Sequence, residues 1–173
     1  MIIANDNNVK AEKKHVLSVL VENKAGVLSR VVGLISRRGF NIDSLSVGPT
    51  EDPTRSRITI IVEGDDQSFE QIAKQLNKLV SVHKLQNLTN DAYIERELVL
   101  FKVNAPAERR SEVIEIANLF RANVVDVGRS SLTIEATGSD SKLQGMEDLL
   151  RAYGIKEITR TGKIATARNS KEL

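Results

Sequence analysis

Between Glu22 and Asn41 the chain reads ENKAGVLSRVVGLISRRGFN, and these residues are suited to holding a small molecule, not to breaking a bond. The first N–H groups of a helix lack internal partners and carry partial positive charge. A turn such as Glu22–Gly26 in front of a helix therefore suits an anion, a carboxylate above all. Gly26 has no Cβ, so a ligand or another backbone can come close. Asn23 can accept from neighbours, donate to them, or cap the helix. Asn41, past the far end of the same run, offers an amide oxygen that suits an ammonium group. With an apolar sheet nearby, this set describes a site for a free amino acid with an aliphatic side chain. The two polar ends are separated by a helix of about 12 residues, ~18 Å at ~1.5 Å per residue. One chain cannot easily supply both, so two copies packed side by side are expected to share the site. The same residues also suit a plain N-cap and a turn, and their spacing alone does not decide between the two.

Other chemistry is poorly supplied. There is no cysteine, which excludes disulfides and thiolate metal sites. The two histidines, His15 and His83, lack the neighbours of a zinc site and are expected at the surface or a strand edge. The carboxylate pairs Asp65-Asp66 and Glu147-Asp148 read as a cap and as solvated charges. Gly162-Lys163 fails as a phosphate loop, because Ile164 stands where Ser or Thr is needed. Aromatic residues are 3% of the chain and none pair on the central strands, so bases have nothing to stack on. Lys+Arg is 25 against Asp+Glu at 23, a net charge of +2, which leaves no basic footprint for nucleic acid. No apolar run approaches the ~18 residues of a membrane span. The opening residues MIIA are too short for the apolar core of a signal peptide. These features suggest a protein that stays where it is made, in the cytoplasm, or in the plastid stroma if it is encoded there.

The elements that must position Asn23, Gly26 and Asn41 follow from periodicity. His15–Val21 is apolar and β-branched, a buried strand. Val27, Leu28, Val31, Val32, Leu34 and Ile35 form one helical face, which Gly39 stops. Strands are expected at 41–47 and 57–63, with the loop GPTEDPTRS between them. Asp65 is an N-cap candidate for a helix carrying Phe69, Ile72, Ala73, Leu76, Leu79 and Val80. A fourth strand fits 82–88. The order β-α-β-β-α-β is ferredoxin-like: a four-stranded antiparallel sheet with both helices on one face. The other face is expected to be apolar and to pack on another copy.

The order then repeats, with a strand at 97–103, a helix at 106–121, strands at 123–127 and 132–136, a helix through Leu143, Met146, Leu149 and Leu150, and a strand at 155–159. Residues 163–168 fit a short terminal strand or tail. The fold class is therefore α+β, two ferredoxin-like units in tandem joined near 89–94. The expected divisions are a tail at 1–14, domains at 15–88 and 89–168, and a tail at 169–173.

The stretch LSVLVENKAGVLSRVVGLISRRGFNIDSLSVGPTEDPTRSRITI (17–60) resembles the ACT domain, and more narrowly the small regulatory subunits of acetolactate synthase. The likeness continues through KQLNKLVSVHKL, ERELVLFKV, FRANVVDV and RTGKIA. It implies a non-catalytic partner of a large catalytic subunit, and a homodimer through the ACT domains. It implies valine as feedback effector, bound between Asn23, Gly26, Val27 and Leu28 of one chain and Asn41 and Ile42 of the other. Thiamine diphosphate, Mg²⁺ and FAD would belong to the catalytic subunit, with no cofactor in this chain. The second unit has Asn104-Ala105-Pro106 where the first has its ENKAG turn, so no second site of that type is expected. An amino-acid sensor acting on another enzyme or on transcription would need a different second half.

Overall fold

The structure, a computed structural model, describes residues 13–168. These fall into two compact units that divide between Ala92 and Tyr93. The expected tails at 1–14 and 169–173 lie outside the described residues except for Lys13 and Lys14, which open the first strand.

In the first unit the elements are β1 (Lys13–Glu22), α1 (Val27–Arg37), β2 (Asn41–Pro49), β3 (Arg55–Gly64), α2 (Asp66–Leu76) and β4 (Val82–Asn87). The antiparallel sheet runs β2-β3-β1-β4, so β2 is an edge strand. Leu17 and Val19 of β1 and Ile58 and Ile60 of β3 are fully buried against Val31 and Ile35 of α1 and Phe69, Ile72 and Leu76 of α2. Each such side chain contributes about 1.5–3 kcal/mol of burial. Because side chains alternate along a strand, the opposite face carries Ser18, Ser44, Ser46, Arg57 and Thr59 beside Val16, Leu20 and Ile61. That face is largely polar, not the apolar surface expected, and Arg57 Nη1 donates to Ser18 Oγ at 3.0 Å across it.

Local rules set most of the ends. Asp65 caps α2 by accepting from Ser68 N–H at 3.0 Å. Gly39 takes φ 78° just past α1, the left-handed step that lets a helix stop. Leu79 and Val80 were expected on the α2 stripe, but α2 ends at Leu76 and Val80 is 96% exposed in the following turn. His15 is also not where expected. It is 1% exposed, stacks on Phe69 with centroids 3.9 Å apart, and its Nε2 lies 3.1 Å from Gly64 O. A ring that can stack and hydrogen-bond at once is better satisfied inside than at an edge. Its strand does lie beside that of His83, since β1 pairs β4, but the two histidines sit towards opposite ends.

The second unit has β5 (Tyr93–Asn104), α3 (Arg110–Leu119), β6 (Asn123–Val127), β7 (Ser131–Gly138), α4 (Asp140–Arg151), β8 (Ile155–Arg160) and β9 (Ile164–Ala167). Its sheet repeats the order as β6-β7-β5-β8, and β9 adds to the first residues of β5. Tyr93 and Ile94, expected in the link, are therefore strand. The helix expected from Pro106 begins only at Arg110, because Pro106–Arg109 form a turn in which Arg109 N–H returns to Pro106 O at 3.0 Å. Glu147 is 6% exposed, not solvated, and is held by Arg151 and by Arg160, which also binds the buried Glu97. Among the described residues no helix is long and apolar enough to cross a membrane, and no cluster of His, Cys, Asp and Glu could hold a metal ion.

Candidate functional site

The Asn23–Gly26 turn is fixed by the loop that follows β2. Asn23 N–H donates to Thr54 O at 2.8 Å and its side-chain Nδ2 donates to Pro53 O at 3.0 Å. Asn23 keeps its Oδ1 to accept from a ligand and a second Nδ2 hydrogen to donate to one. The loop is itself tied. Asp52 Oδ1 accepts from Thr54 N–H at 2.9 Å and from Thr54 Oγ1 at 2.6 Å, and Arg55 Nε pairs with Asp52 at 3.2 Å. The Thr54 hydroxyl, with the Thr54 N–H next, holds the Asp52 carboxyl below its ordinary value of 3.8. A depressed carboxyl stabilises the loop above the ordinary value and lets go only as pH falls through the lower folded one. Asp52 is thus expected to stay ionised, and to keep its hold on Thr54, down to below pH ~3.8. A carbon-13 NMR titration of the Asp52 carboxyl checks this; titration at or above the ordinary value would contradict it.

Gly26 is the residue before α1, at φ 83° and ψ −10°. A Cβ built there meets nothing within 4 Å, so the space in front of it is open. Val27 N–H reaches Lys24 O at 3.4 Å and Arg30 N–H returns to Gly26 O at 3.1 Å. No side chain caps α1 and no acidic residue stands in its first turn. The other three helices differ. α2 has the Asp65 cap and Asp66, α3 has Glu112 and α4 has Asp140. Among the described helices, α1 alone leaves its positive end without a carboxylate of its own.

Val27 is 4% exposed and its side chain belongs to the core, so only its backbone can face a ligand. Leu28 is half-buried against the same core. Asn41 is exposed at the first position of β2, opposite Glu63 of β3. Ile42 is half-buried opposite Val62. Within one chain the structure brings Asn23, Gly26, Val27 and Leu28 together at one end of α1 and leaves Asn41 and Ile42 beyond the other. The 11 residues of α1 put about 16 Å between these ends.

Two family models cover the two units. Residues 17–84 match the AHAS small subunit-like ACT domain, and residues 96–169 match the small subunit of acetolactate synthase. A probable acetolactate synthase small subunit of Archaeoglobus fulgidus is 55% identical over 159 residues, covering 92% of this chain and 99% of that one. The chain belongs to the acetolactate synthase small-subunit family. The acetolactate synthase small subunit of Mycolicibacterium smegmatis is 54% identical over 154 residues, covering 89% of this chain and 91% of the relative. The crystal structure of the acetolactate synthase small subunit from Thermotoga maritima superposes with a TM-score of 0.82 at 42% identity, over 90% of this chain and 98% of that one. The α+β tandem of ferredoxin-like units, the first an ACT domain, is thus this small-subunit fold.

The site also depends on two residues whose types do not single them out. Pro53 and Thr54 hold the turn through their carbonyls, so no side-chain type could announce them. The only trace is the T-x-D-x-T spacing of Thr50, Asp52 and Thr54, which favours a self-bonded loop.

Proposed function

We propose that this chain is the regulatory subunit of an acetolactate synthase. It raises the activity of a large catalytic subunit and makes that enzyme sensitive to valine. The observation that carries this reading is the open, acid-free N-terminus of α1, with Gly26 unobstructed in front of it. A carboxylate supplies the negative charge that this end lacks, and Asn23 Oδ1 is free to accept from a ligand donor. The Asn41 amide of a second copy completes the grip on an ammonium group, and Leu28 and Ile42 offer apolar surface to an aliphatic side chain.

The edge position of β2 supports a site shared by two chains. Antiparallel pairing of two β2 edges about a two-fold axis reverses one strand against the other. The Asn41 end of one copy then lies beside the Pro49 end of its partner. That is the end at which the Pro53–Thr54 loop holds the Asn23–Gly26 turn. A small shift between the two copies would change the site, and the reverse also holds. Valine inhibits only through its difference in affinity for two states of the complex.

The second unit's likeness to the small-subunit family favours acetolactate synthase over any other enzyme as the partner. Thiamine diphosphate, Mg²⁺ and FAD fall to the catalytic subunit. The bacterial and archaeal relatives support a cytoplasmic location. The test is acetolactate formation by the cognate catalytic subunit, with and without this chain, across a valine titration. A higher rate with the chain, lost again as valine is added, is the expected result. A rate indifferent to both would remove the proposal.

A further inference from the structure

The two units hold their equivalent turns by different side chains. Asn23 N–H donates to Thr54 O in the first unit, and Ala105 N–H donates to Ser130 O at 2.9 Å in the second. The neighbouring bonds match too, Glu22 N–H to Ser81 O and Asn104 N–H to Gly154 O. Ala105 therefore stands where the first unit has Asn23, and Arg129 where it has Pro53. Ala105 has no side-chain amide to add a second tie to the loop. Arg110, at the position of Leu28, reaches it instead. Its Nη2 lies 2.8 Å from Gly128 O, 2.8 Å from Arg129 O and 3.3 Å from Ala105 O. Its Nε is buried and has no hydrogen-bond partner. The guanidinium is thus placed by the three carbonyls its tip can reach, at the expense of its inner N–H.

We propose that Arg110 is a latch: it takes over the tie to the loop that the Asn23 side chain makes in the first unit, and holds the β6–β7 loop against α3 without any ligand. The number of effectors per chain rests on the function proposed above; the latch itself does not. In the first unit the space in front of Gly26 is left open. In the second a side chain of the helix itself reaches the loop carbonyls, so the turn is closed by the chain. Each chain then takes one effector, and the ligand-dependent change is confined to the first unit. Removing Arg110 does not recreate the first site, because Ala105 and Glu108 stand where Asn23 and Gly26 are needed.

The test is hydrogen–deuterium exchange on the full-length chain, followed by mass spectrometry. Arg110→Ala is expected to speed exchange about tenfold or more in the peptides spanning 104–110 and 128–131. Millimolar guanidinium ion, far below denaturing strength, is expected to restore protection, and tetramethylammonium ion is not. Arg110→Lys keeps the charge but not the planar fork, and is expected to fall between the two. It carries the test if the alanine variant does not fold. Unchanged exchange in the variant tested, or no rescue by guanidinium, would overturn the latch. Equilibrium dialysis separates the two readings. One valine per chain in both wild type and Arg110→Ala supports the closed second turn, and a second valine in the wild type would overturn it. No valine in the wild type would remove the effector reading while the exchange result still decided the latch.

Discussion

Gly26→Asp is expected to abolish valine inhibition while leaving the subunit folded and able to activate its partner. The substitution acts at one point. A Cβ at residue 26 meets no atom within 4 Å, so there is no clash to relieve. The φ of 83° is strained for most side chains, but aspartate is among those that tolerate it. A carboxylate at the head of a helix that has none also gains from the helix dipole. These effects oppose each other, and the net change in stability is expected within about 1 kcal/mol. The effect on the ligand is far larger. Two carboxylates ~4 Å apart repel by about 4 kcal/mol at an effective dielectric near 20. That corresponds to a loss of affinity of at least about 100-fold. The measurement is the valine concentration for half-inhibition of the reconstituted enzyme. An unchanged value would count against the turn as the carboxylate site.

Arg160→Met carries the largest expected cost in stability. Arg160 Nη1 donates to Glu97 at 3.1 Å and Nη2 to Glu147 at 2.6 Å, and both glutamates are 6% exposed. Methionine keeps the apolar stem and removes the charge. Glu147 retains Arg151, while Glu97 is left buried without the cation that compensates it. Breaking such a pair typically costs about 3–5 kcal/mol. The Arg160 side chain is 35% exposed, so water offsets part of this and roughly 2–4 kcal/mol is expected. The loss should fall in the second unit, which these three residues tie together from β5, α4 and β8. Urea unfolding followed by exchange in 97–160 reads it directly. An unfolding midpoint equal to the wild type would show that the network contributes little. Glu97→Gln in the same background should recover part of the loss, because it removes the orphaned charge.

The fold was largely legible because two independent signals agreed. The 3.6-residue stripe of Val27, Val31 and Ile35 and the two-residue alternation of Ile58, Ile60 and Val62 both pointed into one core. The recurrence of the same order about 82 residues later doubled the evidence. The misplacements have physical causes. Val80 satisfies the helical period yet falls in a turn, since periodicity does not report where a helix stops. His15 is polar by type and apolar by use, because Phe69, far along the chain, supplies a stacking face. Glu147 is solvated by type and buried in fact, because Arg160 arrives from another strand.

The candidate site was half legible. Gly26 and the turn before α1 announce themselves through local backbone rules. The tie from Asn23 to Pro53 spans 30 residues and uses a carbonyl, so no local pattern contains it. Arg110 was hidden for the same reason, since its three acceptors are all backbone oxygens. What the sequence did contain was a distance argument: Asn23 and Asn41 sit at opposite ends of one helix, which led to a site divided between two chains.

That division is tested most directly by mixing two defective subunits. Gly26→Asp and Asn41→Ala chains, each with its own affinity tag, are co-expressed, and the mixed dimer is isolated through both tags. One shared site then combines both defects, and the other combines an intact turn with an intact Asn41. The mixed dimer is therefore expected to bind one valine at close to wild-type affinity, although neither parent dimer binds measurably. No recovery of binding in the mixed dimer would contradict the shared site and return Asn23, Gly26 and Asn41 to separate roles.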